Sequence, residues 1–157
     1  MKNIYSTNTR SELSNVNETI DVQPNAVDLR LGRVFMLTST PFKISNEEKI
    51  HRELVEIHPS KDGYFNLGVG YYNIEYENKI KVAEGEAGYV ITRSTLVRNG
   101  VYLTTGLYDS GYEGKMVSGM HVTTENMMIK KGTRVGQYLC FDAESLHLYS
   151  GDYQEKK

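Results

Sequence analysis

The residues best suited to chemistry lie in one short segment, residues 92–98 (TRSTLVR), which Gly100 follows. Arg93 and Arg98 each offer a planar fork of N–H donors that matches the oxygens of a phosphate. Ser94 and Thr95 add hydroxyl donors beside backbone N–H groups. Because a strand-like run, residues 88–92, comes directly before, the segment predicts a rigid turn that cradles a polyphosphate. A solvated surface turn is the alternative interpretation.

Three other segments surround this one in a definite order. Residues 25–32 (NAVDLRLG) lie upstream, and residues 106–114 (GLYDSGYEG) and 132–137 (GTRVGQ) lie downstream. In that order the four segments, which span about residues 20–142, resemble the dCTP deaminase / dUTPase superfamily. The first two are similar to the deaminase branch, the third to the dUTPase branch, and the fourth to both. The resemblance implies a distorted jelly-roll, a homotrimer and a deoxypyrimidine nucleotide as ligand.

The resemblance also implies how the phosphates would be held. The triphosphate would contact Arg93, Ser94 and Thr95, and Gln137 would join them across a subunit boundary. Asp28 would be a structural support, since an Asp28–Arg93 pair would hold the guanidinium in place. Mg²⁺ would bind through the substrate phosphates, with no direct protein ligand.

Asp109 is the candidate catalytic residue. In the dUTPase-like motif the aspartate orients the attacking water, and a carboxylate that is charged at neutral pH is a good acceptor for that purpose. A turn aspartate is the alternative, because Asp and Gly are ordinary turn residues. The resemblance places Tyr112 where an aromatic ring packs against the deoxyribose, and Arg98 is a second candidate on the nucleoside side.

The chain departs from both branches. The deaminase branch needs a glutamate ten residues after the aspartate, to move protons between water and the leaving amine, and that position is Gly119. The hairpin between Gly100 and Asp109, which would read the pyrimidine, is shorter than usual. The glycine-rich C-terminal arm of dUTPases is missing, and Asp152 stands where the deaminase-like tail has a phosphate-binding lysine.

Three functions are therefore open. The favoured hypothesis is dUTPase-like hydrolysis of a deoxypyrimidine triphosphate, first of all dUTP, to the monophosphate and pyrophosphate. The second is a family member without catalysis that binds nucleotides or a partner protein. The third is a dCTP deaminase with a displaced acid.

The elements that would position these residues are short strands. Runs of β-branched and aromatic residues, broken by turn residues roughly every ten positions, predict an all-β sandwich or barrel. Glu77-Asn78 predicts a tight hairpin between strands at 71–76 and 79–82, and residues 146–149 predict a last strand. Residues 1–19 predict a flexible arm or cap, followed by one domain at residues 20–157 with a short C-terminal tail.

Composition limits the partners. The chain has 157 residues, 18 basic and 20 acidic side chains and a net charge of −2, which argues against bulk nucleic-acid binding. No apolar run is long enough for a membrane span. The single cysteine, Cys140, is interpreted as a buried strand residue and not as a nucleophile. These features favour a reducing, cytoplasmic setting.

Overall fold

The computed structural model describes residues 1–155, and there the chain is almost entirely β structure. The predicted all-β class is therefore confirmed; the last two residues of the predicted domain at 20–157 lie outside the described residues. In chain order the elements are β1 Glu12–Leu13, α1 Glu18–Asp21, β2 Val27–Leu37, β3 Lys43–Ile44, β4 Lys49–Ile50, β5 Leu54–Ile57, β6 Tyr64–Leu67, β7 Gly70–Lys81, β8 Glu86–Thr92, α2 Ser94–Val97, β9 Val101–Thr104, β10 Glu113–Val122, β11 Met127–Lys130 and β12 Arg134–Asp142.

The long strands form one antiparallel sheet in the order β8-β12-β2-β7-β10-β9. Polar side chains join its two edge strands. The Leu103 N–H donates to Thr92 Oγ1 at 2.8 Å, and Thr105 Oγ1 donates to the Val90 carbonyl at 3.1 Å. The sheet is therefore nearly closed into a barrel, with β12 lying between β2 and β8.

The core lies inside this barrel, because the long strands alternate inward apolar and outward polar residues. Cys140 lies in this core, and burial raises the pKa of its thiol to about 11, so it is a packing residue as predicted. The largest fully buried side chains include Leu29, Leu31, Val34, Phe65, Ile74, Ile80, Met116, Met120, Val135 and Tyr138.

The predicted hairpin at Glu77-Asn78 is wrong, because β7 runs unbroken through these residues. Asn78 is buried, and its side-chain amide forms hydrogen bonds with backbone groups of two neighbouring segments. Its Oδ1 accepts the Arg30 N–H at 3.0 Å, and its Nδ2 donates to the Ser14 carbonyl at 2.8 Å. An asparagine that usually signals a turn is here satisfied inside a strand.

The predicted strand at residues 146–149 is also wrong, since this segment has no strand pairing. Leu146 is 98% exposed, so its apolar character does not reflect a core position. The segment is held instead by the Tyr149 N–H, which donates to the Ser110 carbonyl at 2.8 Å. This contact places the C-terminal tail beside the turn that carries Asp109.

The N-terminal residues lie against the barrel. The Lys2 N–H donates to the Cys140 carbonyl at 2.7 Å, Ile4 is buried, and Glu12 in β1 pairs with Lys81 in β7. The boundary between an arm at 1–19 and a domain at 20–157 stays a prediction. None of the helices within residues 1–155 is long and apolar enough to cross a bilayer.

We expect Gly88→Ala to destabilise the fold. A Cβ at this position would overlap the Tyr138 hydroxyl and lie 2.5 Å from the Leu139 carbonyl oxygen. Neither atom is free to move, because Tyr138 fills the core. Overpacking of this kind costs about 1–3 kcal/mol, measurable as a lower midpoint of urea unfolding.

Gly106→Ala is the matched control, since a Cβ there meets no atom within 4 Å. Its unfolding midpoint should stay at the wild-type value. Equal midpoints for the two variants would contradict the packing argument.

Candidate functional site

A buried carboxylate organises the candidate phosphate site. Asp28, on β2, has no exposed surface. Its Oδ2 is 3.2 Å from Arg93 Nε and 3.1 Å from Arg134 Nη1, and its Oδ1 accepts a hydrogen bond from Gln137 Nε2 at 3.0 Å. The strand order explains the meeting, because Gln137 on β12 pairs with Asp28 on one side and with Ile91 of β8 on the other. Arg93 follows the end of β8.

A second ion pair borders this cluster. Arg30 contacts Asp21 through two parallel bonds, Nε to Oδ2 at 3.0 Å and Nη2 to Oδ1 at 2.6 Å, and Asp21 is fully buried. The hydrogen bonds that Arg30 donates to Asp21 raise the pKa of its guanidinium. Its Nη1 also donates to the Gly132 carbonyl at 3.1 Å. Arg30 is balanced by Asp21, with Glu77 also nearby, so the positive charge left for an anion comes from Arg93 and Arg134, which share the single carboxylate of Asp28.

Arg93 retains donors that the protein does not use. Its Nε contacts Asp28, and its Nη1 donates to the Arg134 carbonyl at 3.2 Å. A guanidinium has five N–H donors, and within residues 1–155 these are the contacts that hold it. Since the side chain is 25% exposed, the remaining donors can reach a ligand from solvent while the base of the fork stays fixed.

The residues after Arg93 form α2, a single helical turn. Arg93 itself is extended, and its carbonyl accepts hydrogen bonds from the N–H groups of Leu96 and Val97. Ser94 and Thr95 are exposed on this turn, as is Arg98 at its end. Thr95 lines a cavity of about 390 Å³ between α2 and the β10–β11 connection. The segment therefore presents its hydroxyls and second arginine at the surface next to Arg93.

Asp109 lies in a turn with a firmly held backbone. Its neighbour Tyr108 exchanges two backbone hydrogen bonds with Gly88, of 2.7 and 3.0 Å, and the Ser110 hydroxyl donates to the Glu86 carbonyl. The Asp109 side chain is exposed and faces a cavity of about 510 Å³ that the C-terminal tail helps to line. The backbone that carries the carboxylate is thus fixed in position, and the carboxylate itself is open to a second molecule.

Tyr112 is buried beside this turn. Its ring packs against Tyr108 and Tyr149, with ring centroids 5.5 and 5.3 Å away, and its hydroxyl donates to the Lys115 carbonyl at 2.7 Å. Burial raises the pKa of its hydroxyl. Tyr112 lines a different cavity from Asp109, one of about 310 Å³. Within one chain it supports the turn, and its contact with a sugar stays a prediction.

One chain does not bring Asp109 to the arginine cluster. Tyr108 pairs with Gly88 near the start of β8, whereas Arg93 follows the end of the same strand. Five residues of extended strand separate Gly88 from Arg93, a distance of about 16 Å. The structure therefore places phosphate donors and the candidate water-orienting carboxylate at opposite ends of β8.

A larger cavity, of about 530 Å³, lies on the outer face of β7, β9 and β10. Gly119 forms part of its floor, between Asn73 of β7 and Thr104 of β9. A Cβ at Gly119 would overlap the Tyr71 hydroxyl and lie 2.8 Å from Thr104 Oγ1. The space that a side chain at position 119 would need is therefore already filled.

Glu86 anchors the opposite side of the Asp109 turn. Lys2 Nζ contacts its Oε1 at 2.9 Å, the Arg10 N–H donates to Oε1 at 3.0 Å, and the Ser11 N–H donates to Oε2 at 2.9 Å. Burial alone would raise the pKa of Glu86, but the hydrogen bonds from Ser11, Lys2 and these backbone groups outweigh it and lower the pKa to about 2. The N-terminal segment is thereby tied to β8.

The family of the chain follows from comparison with known proteins. A family model described as dCTP deaminase-like matches residues 5–143. The chain belongs to the dCTP deaminase-like family. This confirms the superfamily predicted from the four sequence segments, three of which meet at Asp28 in the structure.

Two relatives of this dCTP deaminase-like chain carry a common name. The deoxyuridine 5'-triphosphate nucleotidohydrolase of Methanocaldococcus jannaschii is 29% identical over 154 residues, covering 96% of this chain and 98% of that protein. A probable deoxyuridine 5'-triphosphate nucleotidohydrolase of Methanopyrus kandleri is 33% identical over 133 residues, covering 83% of this chain and 86% of that protein.

A solved structure shares the fold of the dCTP deaminase-like chain. It is the 2'-deoxycytidine 5'-triphosphate deaminase from Agrobacterium tumefaciens, which superposes with a TM-score of 0.65 at 16% identity. The match covers 87% of this chain and 44% of the other protein, so this chain spans less than half of that length. At this identity the likeness establishes the β-barrel fold alone.

Sequence reasoning missed several residues of this dCTP deaminase-like site. Arg30 and Arg134 lie inside the recognised segments. A search of those segments for basic residues that could pair with a buried aspartate would have found them. Asp21 lies outside the segments and has no spacing pattern that links it to Arg30. Tyr71 and Asn73 reach the large cavity only through the register of β7 and β10, which the sequence does not fix.

We expect Glu86→Gln to destabilise the chain at neutral pH, by about 2–4 kcal/mol, because it removes a buried charge that accepts several hydrogen bonds. A carboxyl group whose pKa is lowered in the folded state stabilises the fold above its ordinary pKa near 4.5. That stabilisation is lost as the pH falls through about 2. Urea unfolding from pH 7 to pH 2.5 should therefore show the two proteins converging in acid.

Glu48→Gln is the control, because its ion pair with Lys43 is exposed and contributes little. A pH-independent difference between wild type and Glu86→Gln would contradict the assignment of the lowered pKa to this residue.

Proposed function

We propose that the protein hydrolyses a deoxypyrimidine triphosphate, dUTP first of all, to the monophosphate and pyrophosphate. The observation that carries the proposal is the Asp28 cluster, which fixes two guanidinium groups and the Gln137 amide at one surface with one unneutralised positive charge. The two relatives named as deoxyuridine triphosphate nucleotidohydrolases support dUTP as the substrate.

The phosphate end of the substrate is assigned to the segment that starts at Arg93. The free donors of Arg93 hold phosphate oxygens, and Ser94 and Thr95 add hydroxyl donors from the exposed turn. Gln137 has its Nε2 on Asp28, which leaves its second amide proton and its Oε1 for the ligand. Arg98, exposed at the end of α2, is assigned to the nucleoside side.

Mg²⁺ is assigned to the substrate phosphates. Within residues 1–155 no three His, Cys, Asp or Glu side chains are grouped closely enough to hold a metal ion. A divalent ion bridging phosphate oxygens needs few protein ligands, since Mg²⁺ keeps several of its waters. The ion would neutralise charge on the triphosphate, and Arg93 would add to that effect.

We assign to Asp109 the role of binding and orienting the attacking water. Its carboxylate is exposed on a turn that hydrogen bonds hold to β8, so a water bound to it would have a fixed direction of attack. The charge both aligns the water and accepts its proton as the phosphorus–oxygen bond forms. Tyr112, packed behind this turn, is assigned to the deoxyribose.

Position 119 favours hydrolysis over deamination. Deamination at C4 needs a group that shuttles protons to the leaving amine, and neither Gly119 nor its neighbours Ser118 and Met120 provides an acid. The Tyr71 hydroxyl occupies the space above Gly119.

We infer a homotrimer, which the separation along β8 supports. Since Gly88, beside the Asp109 turn, lies about 16 Å along the strand from Arg93, we assign the phosphates to Arg93 of one chain and the water to Asp109 of a neighbour. A cyclic trimer provides three equivalent sites of this kind. The exposed outer faces of both segments are consistent with such contacts.

We expect Asp109→Asn to lower turnover of dUTP by at least about 10²-fold with little loss of nucleotide affinity. The amide keeps the shape of the side chain and loses the charge that aligns water. Pyrophosphate and ammonia should be measured together against all deoxynucleoside triphosphates with Mg²⁺, with pyrophosphate released from dUTP and no ammonia from dCTP. Asp62→Asn, in an exposed turn, is the control.

Full turnover by Asp109→Asn would show that Asp109 is only a turn residue and would contradict the proposed hydrolase mechanism. Wild-type protein that binds nucleotides and releases neither product would establish the binding-protein alternative. Stoichiometric ammonia from dCTP would mean that the deaminase acid lies elsewhere in the chain.

We expect two inactive variants to restore activity when mixed. Arg93→Ala lacks the phosphate fork and Asp109→Asn lacks the water-aligning charge, but a trimer containing both has one site with both native groups. Random reassembly at equal amounts would make three-quarters of the trimers mixed, giving about a quarter of wild-type turnover. Variants mixed without subunit exchange are the control. Recovery no greater than in that control, after exchange is verified by mass, would contradict the shared site.

A further inference from the structure

The large outer cavity has a floor built from matched strand positions. Gly119 pairs with Asn73 on one side and with Thr104 on the other, and Phe35 of β2 pairs with Asn73 from the next strand. Directly opposed residues of antiparallel strands project from the same face. The Asn73 side chain therefore stands on the cavity floor next to Gly119, and the Tyr71 hydroxyl lies above that glycine.

Aromatic rings close one end of this floor. His121 pairs with Tyr71 and with Tyr102, and its ring stacks on Tyr102 with centroids 4.4 Å apart and meets Tyr71 edge-on at 4.9 Å. His121 Nε2 is also 3.1 Å from Thr104 Oγ1. These rings hold one another in place, so the end wall is rigid and flat.

The opposite end of the cavity has its charges satisfied. Arg33 contacts Glu56 through two bonds of 2.9 Å and Glu75 at 3.4 Å, and its guanidinium lies over the Phe35 ring at 4.7 Å. The hydrogen bonds that Arg33 donates to Glu56 raise the pKa of its guanidinium further above its ordinary value. Because this guanidinium already serves two carboxylates, it has little capacity for a phosphate. The cavity suits an uncharged ring.

Within residues 1–155 the Asn73 amide makes no hydrogen bond, and the Tyr71 hydroxyl in the same cavity makes none either. Other neighbouring hydroxyls are engaged, since Tyr76 bonds Ser118 at 2.7 Å and Thr104 contacts His121. Asn73 is thus the amide of this cavity that is open to a ligand. A half-buried amide with a free donor and a free acceptor is suited to an adjacent N–H and carbonyl on a ring edge.

The cavity also lies on the Asp109 side of the molecule. Gly106, in its wall, is three residues before Asp109, and Tyr108 Oη lies 3.2 Å from the Val117 backbone nitrogen beside the cavity. A nucleoside seated here would therefore belong to the chain that supplies Asp109. Its phosphates would point away, toward the arginine cluster of a neighbour.

We propose that Asn73 is a specificity-determining residue that reads the edge of the pyrimidine ring through its side-chain amide. This rests on the proposed function and adds side-chain recognition from β7 to it. The amide pairs with the N–H and carbonyl of a uracil edge. Inorganic polyphosphate makes no such contact, so Asn73 contributes to affinity for the nucleotide and not to affinity for its phosphates.

The test compares two ligands by calorimetry: the non-hydrolysable analogue dUpNHpp and inorganic tripolyphosphate, both with Mg²⁺. Asn73→Ala should weaken dUpNHpp binding about 10- to 100-fold and leave tripolyphosphate binding unchanged. Arg93→Ala should weaken both ligands. Asn66→Ala, the same substitution on β6 outside the cavity, is the matched control and should bind as wild type.

Asn73→Asp guards against loss of fold, since it keeps the shape of the side chain and removes its donor. It should weaken dUpNHpp binding in the same selective way, with a wild-type unfolding midpoint as the check. Unchanged dUpNHpp affinity in both variants, or equal loss of both ligands, would overturn the proposal even if wild type hydrolyses dUTP. Selective loss with no wild-type turnover would support Asn73 and overturn the hydrolase instead.

Discussion

A carboxylate without exposed surface costs several kcal/mol to bury unless it is paired and hydrogen bonded, and Asp28 meets that requirement with three partners drawn from β12 and from the end of β8. The pairing constrains both strands. Removing Asp28 would leave Arg93 and Arg134 to repel each other, so the register that brings β12 between β2 and β8 also keeps the guanidinium groups apart and aimed outward. The candidate phosphate site is thus a consequence of the contacts that stabilise the buried Asp28 carboxylate within the sheet.

The length of β8 then decides how many chains a complete site needs. Glu86 starts the strand and secures the turn of Asp109 through its backbone carbonyl, and Arg93 follows the end. An extended strand cannot fold back on itself to bring its ends together. Asp109 and Arg93 are therefore held apart by the same strand that positions each of them. A neighbouring chain can bring the phosphate-binding Arg93 and the water-orienting Asp109 together in one site.

The sequence allowed the fold class and part of the site to be predicted, because both depend on local signals. Alternating strands and the four segments identified the β-barrel, and the resemblance carried by those segments implied the Asp28–Arg93 contact that the structure contains. Asn78 misled the strand prediction, since its turn preference was overridden by partners from distant segments. Asp21, Tyr71 and Asn73 could not be found, because their neighbours are set by sheet register, which the sequence leaves open.

The packing around Gly119 is a physical obstacle to placing the acid that deamination needs at this position by a single substitution. Adding an acid at position 119 would drive a Cβ into the Tyr71 hydroxyl and against Thr104 Oγ1, and Tyr71 is held by its edge contact with His121. Both contacts are with the ends of side chains, and Tyr71 is 43% exposed, so the Tyr71 ring would have to move outward to admit the new side chain. A shuttle at this position would therefore displace a ring that forms a wall of the cavity. The cavity and the missing acid are therefore two consequences of one packing arrangement.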